Sequence, residues 1–285
     1  MRRVALAAAI GLVAAVAAAR PAGGVRIGMV QGMFRDVNPA LVQAMSKPLR
    51  ELISRQSGLT GDVQILPDAF ALADQMAAGR FEMGVFHGFE FAWLRDRHPD
   101  LVPVAVTVPP GRTLRAQVVV RADCPHAHLK DLADEPVLMP RGSKAHCHLY
   151  LERARAALPA NVAVPKHKPA VTAEEAIDQV LGGDATAAVV ESAALAGYQT
   201  LRPGAARHLK VLAQSDRFPP TVVAYNKRTA DPAAVEQVRR LLVNASQTPA
   251  GKPLLMLWSL QGFEDVPADY DAALRAIRAA YPPPR

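Results

Sequence analysis

The sequence predicts an α/β protein of two lobes, each a mostly parallel sheet flanked by helices, and three observations carry that prediction. Short apolar stretches alternate with amphipathic stretches of about ten residues or more, the pattern of strand–helix–strand units. The 285 residues, half of them hydrophobic, are enough for two cores of ordinary size. Two Pro-bearing stretches, "VTVPPGRTLRAQVVV" and "LAQSDRFPPTVVAYN", interrupt the alternation and read as crossovers between half-domains.

The chain opens on "MRRVALAAAIGLVAAVAAARPA": two arginines, an apolar run from Val4 to Val16, then small residues before Arg20. Those three regions describe a cleaved secretory signal over residues 1–19. The run is Ala-rich and shorter than the roughly 20 apolar residues a membrane span needs. With no cysteine at the end of the signal, the mature chain is expected free in the periplasm.

Next come a strand at "VRIGMVQ", the loop "GMFRDVNP" and a helix at "ALVQAMSKPLRELISRQSG" closed by Gly58. The unit repeats, with strands at "DVQILP" and "EMGVFH" and helices at "AFALADQMAAG" and "GFEFAWLRDR". Strands "LVPVAVTVP" and "AQVVVRAD", a short helix "HLKDLAD" and a strand "PVLMP" follow. The helix start "RGSKAHCHLY" comes after them. Further strands are "NVAVP", "ATAAVV" and "LKVLAQS", with the helix "AEEAIDQVLGG" between the first two. The last third is helical at "DPAAVEQVRRLLVNAS", "PAGKPLLMLWSLQ" and "YDAALRAIRAAY". Residues 25–112 and 216–285 thus make a first lobe and 113–215 a second, with a cleft between them.

Charge and cysteine content exclude several classes. Loss of Arg2 and Arg3 with the signal takes the net charge from +7 to +5, and the remaining charges are interspersed. Nucleic acid is therefore not an expected partner, while a small anion is compatible. Cys124 and Cys147 are the only cysteines, enough for one disulfide in an oxidising compartment but not for a disulfide scaffold. No Cys-x-x-Cys-His exists for haem attachment. No cofactor is expected, and no complete nucleophile or acid/base set suggests an enzyme.

The order of the pieces resembles the phosphate/phosphite/phosphonate-type substrate-binding proteins of ABC transporters, which have the type II periplasmic binding protein fold. The resemblance rests on "IGMVQ", "FEMGVFHGFEFAW", the stretch from "VVVRADCPHAH" to "RGSKAHCHLYLERA", "AIDQVLGGDATAAVVES", "VLAQSDRFPPTVVAYNK" and "TPAGKPLLMLWSLQGFEDVPADYD". It implies two lobes joined by two crossover strands, a monomer, and a permease in the inner membrane as partner. It also implies a ligand held at the second-lobe helix start. There the family's run of Ser and Thr is reduced to Ser143, followed by Lys144, Ala145 and His146. Phe91 stands at the family's junction tyrosine, His87-Gly88 at its Gly-Pro, and Glu191 where an acid reads a ligand amine.

Three strand-to-helix junctions carry the candidate residues. In "RGSKAHCHLY", Gly142 frees the turn and Ser143 as N-cap would leave Lys144, Ala145 and His146 as the first helical positions, an anion cradle or an ordinary capped helix. His146, Cys147 and His148 fan out by about 100° each and cannot all reach one ion. A metal would instead need His87, Glu90, His146 and His148 across the cleft. Cys147 is read as core-facing or as bridged to Cys124. In "FHGFEFAW", Gly88 allows close backbone approach, and His87 and Phe91 either line the cleft or belong to the core. Arg35 offers a planar fork to an anion or pairs with Asp36. The liganding set is Arg35, His87, Gly88, Phe91, Gly142, Ser143, Lys144, His146 and Glu191, for a phosphonate- or phosphate-like solute. The rivals are a transition-metal-binding protein and a sensor domain without transport.

Overall fold

Two sheets organise the chain in the computed structural model, which describes residues 24–34, 37–57, 60–133, 135–156, 167–170 and 172–284. The first sheet contains β1 (Gly24–Val30), β2 (Thr60–Leu66), β3 (Met83–Phe86), β4 (Leu101–Val108), β10 (Val222–Asn226) and β11 (Gly262–Glu264), in the order β11-β4-β10-β3-β1-β2. The second contains β5 (Ala116–Arg121), β6 (Val137–Pro140), β7 (His167–Ala170), β8 (Ala187–Glu191) and β9 (Leu209–Gln214), in the order β7-β6-β8-β5-β9. Helices α1 (Pro39–Ser57), α2 (Ala69–Ala77), α3 (Gly88–Leu94), α8 (Pro232–Val243), α9 (Gly251–Leu257) and α10 (Tyr270–Ala280) accompany the first sheet. With the second go α4 (Ala145–Ala156), α5 (Ala173–Gly182), α6 (Ser192–Leu201) and α7 (Pro203–Ala206).

Both sheets are mixed, where mostly parallel sheets were expected. β1 pairs in parallel with β2 and β3, and β6 with β7 and β8. β10 runs antiparallel to β3 and β4, and β5 antiparallel to β8 and β9. The cause is the double passage of the chain: a strand arriving from the other lobe enters from the opposite end. The "TVVAYN" of the second Pro-bearing stretch is therefore not linker but β10, in the middle of the first sheet. "HLKDLAD" forms only a 3-10 turn, Leu129–Leu132. The expected signal segment, the Gly58 cap and the strand "NVAVP" lie outside the described residues.

Side-chain alternation divides the core into layers, as the period of two along a strand requires. Ile27 and Met29 of β1 face α1, α8 and α9, whereas Val30 joins the layer under α2, α3 and α10. In β5, Val118 and Val120 point into that same second layer, which runs on into the second lobe through Met139, Cys147 and Leu151. Val119, Ala188 and Val190 turn the other way, onto α5 and α6. One apolar cluster therefore spans both lobes. Helix starts follow local chemistry: the Asp68 carboxylate accepts from Ala71 N at 2.8 Å, and Thr172 Oγ1 from Glu175 N at 3.0 Å.

The two crossovers, residues 109–115 and 215–221, run side by side. Phe218 N donates to Leu114 O at 2.9 Å within an isolated antiparallel bridge, and Ser215 N donates to Ala116 O at 2.9 Å. Arg115 donates a guanidinium N–H to Ser215 O at 2.6 Å. Pro109, Pro110, Pro219 and Pro220 fix φ on both segments and remove backbone donors, so these bonds fall where an N–H remains. The C-terminus straps the lobes from behind. Trp93 Nε1 of α3 donates to Tyr281 O at 2.7 Å, and Arg153 of α4 donates to Pro282 O. Among the described residues no helix is long and apolar enough to cross a membrane.

Candidate functional site

Where β1 and β3 end and α4 begins, the lobes enclose a cavity of about 350 Å³ in front of the crossovers. Its first-lobe wall is the 3-10 turn Gln31–Phe34, His87 at the end of β3, and the Leu257–Leu260 loop after α9. Its second-lobe wall is the segment Gly142–His146. Thr107, Leu114 and Thr221 of the crossover region form the floor. A second cavity of about 370 Å³ lies behind the crossovers against α10, but there Arg112 is engaged by Glu264. The front cavity is the one that both lobes face with polar groups.

The second-lobe wall is built by a turn. Gly142 adopts φ +69°, a left-handed conformation that L side chains rarely take, so the chain can reverse between β6 and α4. The Ser143 hydroxyl donates to Pro140 O at 2.7 Å, and α4 opens at Ala145. Ser143 thus does not occupy the expected cap position, because the helix opens one residue later than a cap at Ser143 requires. Lys144 stands at the helix start and its Nζ lies 3.0 Å from Glu191 Oε1, at the end of β8. The lysine side chain is 38% exposed and the glutamate 15%. Lys144 is the one lysine or arginine among the described residues lining the cavity.

His146, the second residue of α4, is 4% exposed, with its ring 5.3 Å from that of Phe218. Burial, reinforced by the charges of Lys144 and His87, pushes its pKa down to about 3. The imidazole is therefore neutral in the folded protein, while an unfolded histidine protonates near 6.5. Between those values the unfolded chain binds a proton that the folded one does not. Stability is thus full above about pH 6.5 and falls as pH drops towards 3, by up to about 1.4 kcal/mol per pH unit from this group. Denaturant titrations from pH 7 to acid should show that slope flattened in His146→Phe; an unchanged slope would assign the acid lability to other groups.

The first-lobe wall holds fewer of the predicted residues. His87 borders the cavity with its ring stacked on Phe89, centroids 5.4 Å apart, and its backbone N–H donates to Glu90 Oε2 at 3.3 Å. Gly88 does give a close approach, but to the crossover: a Cβ there would sit 2.4 Å from Pro219 O. Phe91 is fully buried against Phe86 and does not reach the cleft, because helical spacing turns it to the core side of α3. Arg35 lies outside the described residues.

The residues of the alternative metal set are not gathered at one point. Among the described residues no three His, Cys, Asp or Glu side chains gather closely enough to hold an ion. Glu90 is turned to the His87 backbone, and His148 does not border the cavity. Cys124 and Cys147 are not bridged; both are free thiols. Cys147 is buried on α4, and burial raises its pKa strongly, so it is an inert core residue.

Several cavity residues escaped the sequence reading. Trp258 and Leu260 carry no charge or motif spacing, and they reach the cleft only because the loop after α9 folds over β1 and β3. The tryptophan in "LLMLWSLQG" was the available signal, since an aromatic next to a loop is a common ligand platform. Thr107 and Thr221 come together only through strand pairing, with Thr107 N donating to Thr221 O at 2.9 Å.

A model of the family of ABC-transporter phosphonate periplasmic substrate-binding proteins matches residues 32–271. The chain belongs to that family. No curated protein matches this binding protein. Among solved structures, a Xanthomonas citri protein bound to chloride ion is similar with a TM-score of 0.63 and 18% identity, over 91% of this chain and 97% of that one. PhnD1 from Prochlorococcus marinus, in complex with methylphosphonate, gives 0.59 and 10% over 90% and 97%. A binding component of a phosphonate ABC transporter from Pseudomonas aeruginosa gives 0.57 and 13% over 89% and 85%. These likenesses establish the two-lobed type II periplasmic binding protein fold. The family is one of periplasmic substrate-binding components of ABC transporters, and membership supports a solute-binding role for this chain.

Proposed function

We propose that the protein captures a small oxyanion of the phosphonate or phosphate class in the interlobe cavity and hands it to an inner-membrane permease. The observation that carries this reading is the start of α4, which opens into the cavity between the lobes with Lys144 beside it. Unpaired N–H groups at a helix start and its positive dipole end favour an anion, and Lys144 adds a full charge. Gly142, Ser143, Lys144 and His146 hold the ligand from the second lobe, and His87 from the first. Glu191, outside the cavity lining but paired with Lys144, would receive a ligand amine if Lys144 turned to the oxyanion. Closing of the lobes about residues 109–115 and 215–221 would bring His87 and His146 onto opposite sides of the solute.

Native mass spectrometry of the mature protein, before and after addition of methylphosphonate, tests the reading. The expected result is a one-to-one adduct that Lys144→Met weakens. A protein that takes up neither methylphosphonate nor inorganic phosphate at millimolar concentration would overturn it.

A further inference from the structure

Among the described residues, two buried side-chain nitrogens that border the cavity have no hydrogen-bond partner, Trp258 Nε1 and His146 Nε2, and only the second belongs to a fully buried polar residue. Asn226 Nδ2 donates to Met76 O at 2.7 Å, Ser215 Oγ to Asp216 O at 2.7 Å, and Thr107 Oγ1 to Thr221 O at 3.3 Å. His146 is as deeply buried as these, yet its Nε2 has no hydrogen-bond partner among the described residues. The backbone carbonyl of Arg115 acts on the ring as an acceptor and raises its affinity for a proton. With Nε2 unpartnered, an acceptor at Arg115 favours the neutral tautomer that keeps its proton on Nδ1 and leaves the lone pair on Nε2.

We infer that His146 sets the ligand specificity of the cleft: its Nε2 accepts a hydrogen bond from the ligand, so the site takes oxyanions that keep a proton in preference to fully deprotonated ones. The inference rests on the cleft being the solute site. A monoprotonated phosphonate or phosphate presents a P–OH donor to Nε2 and its charged oxygens to the start of α4. A sulfonate or a dianion presents only lone pairs, which leaves the buried acceptor unsatisfied and sets two acceptors against each other.

The surroundings keep the imidazole in its accepting form. Burial, then Lys144 just before the helix, His87 from the first lobe and His148 on α4 all oppose a second proton, and the Phe218 ring packs beside it. Glu191 is engaged by Lys144 and does not serve the ring. The same pair limits the charge the cleft can compensate, since the single lining lysine is already shared with a carboxylate. A monoanion suits that balance better than a dianion.

Isothermal titration of the mature protein with methylphosphonate and with methanesulfonate, near-isosteric tetrahedral anions, tests the inference. Below the second ionisation of methylphosphonate, the phosphonate should bind roughly ten- to a hundredfold more tightly than the sulfonate. Above it the ratio should shrink, because the donor is gone. Methanesulfonate does not titrate in that range, so its own pH dependence reports the protein alone, and the ratio isolates the ligand proton. His146→Phe keeps a ring in place and removes the acceptor; it should bring the ratio close to one, with a thermal melt confirming that it folds. If that variant fails to fold, the pH dependence of the wild-type ratio decides. Equal affinities, or a preference that survives both the variant and the rise in pH, overturn the inference and leave the cleft as the solute site. Binding of neither anion overturns the cleft reading and this inference with it.

Discussion

Phe218→Ala should lower the free energy of unfolding by about 3–5 kcal/mol, the range for emptying a buried aromatic site. Phe218 is 2% exposed, and its ring meets Tyr281 at 4.8 Å, His146 at 5.3 Å and Phe89 at 5.9 Å between centroids. Those partners come from α3, from α4 and from the end of α10, so one side chain on the second crossover joins both lobes. The cavity left by alanine cannot collapse easily, because Leu114 and Phe218 are held as a backbone bridge and Pro219 follows directly. Urea denaturation followed by near-UV and far-UV signals should show the midpoint falling and the two probes separating as the lobes uncouple. Coincident transitions at the wild-type midpoint would mean that the shared cluster does not couple the lobes.

Lys144→Met should weaken oxyanion binding by roughly ten- to a hundredfold, the range for losing a charged hydrogen bond. Two effects act in the same direction. The cation facing the cavity disappears, and Glu191, only 15% exposed, is left without it and repels an anion. Lys144→Met combined with Glu191→Gln should therefore recover part of the loss. The pair contributes little to folding by comparison, since the lysine end is more than a third exposed and solvent screens it. A single variant that unfolded the protein, or a double variant no better than the single, would argue against this charge arrangement.

The strands and helices were legible where local pattern and tertiary setting agree. β1, β4 and β5 are short apolar runs bounded by turns, and α5 and α10 have apolar residues at helical spacing with buried faces. β10 was hidden because two prolines precede it, and its place in the sheet depends on a partner more than a hundred residues away. β11 has three residues and no periodicity to read.

At the site, the turn before α4 was legible in "RGSK", because a glycine before a helix start has a local meaning. What Ser143 does with its proton was not, since that depends on where the Pro140 carbonyl lies. Phe91 and Gly88 were misread for a related reason: nothing local distinguishes an aromatic or a glycine facing a ligand from one facing a crossover. The consecutive "HCH" separates as helical geometry requires: one member borders the cavity, one is an inert core thiol and one lies away from it. The deciding property of His146, a buried ring nitrogen left unpartnered beside a cavity, exists only once Arg115, Phe218 and His87 are assembled around it.

A crystal structure of the mature protein grown with methylphosphonate tests the central claim most directly. The account predicts electron density for the anion between Lys144 and His87, with oxygens at the start of α4 and one oxygen within hydrogen-bond distance of His146 Nε2. Density only in the cavity behind the crossovers, or a liganded protein in which the Lys144–His146 segment makes no contact with the anion, would contradict it.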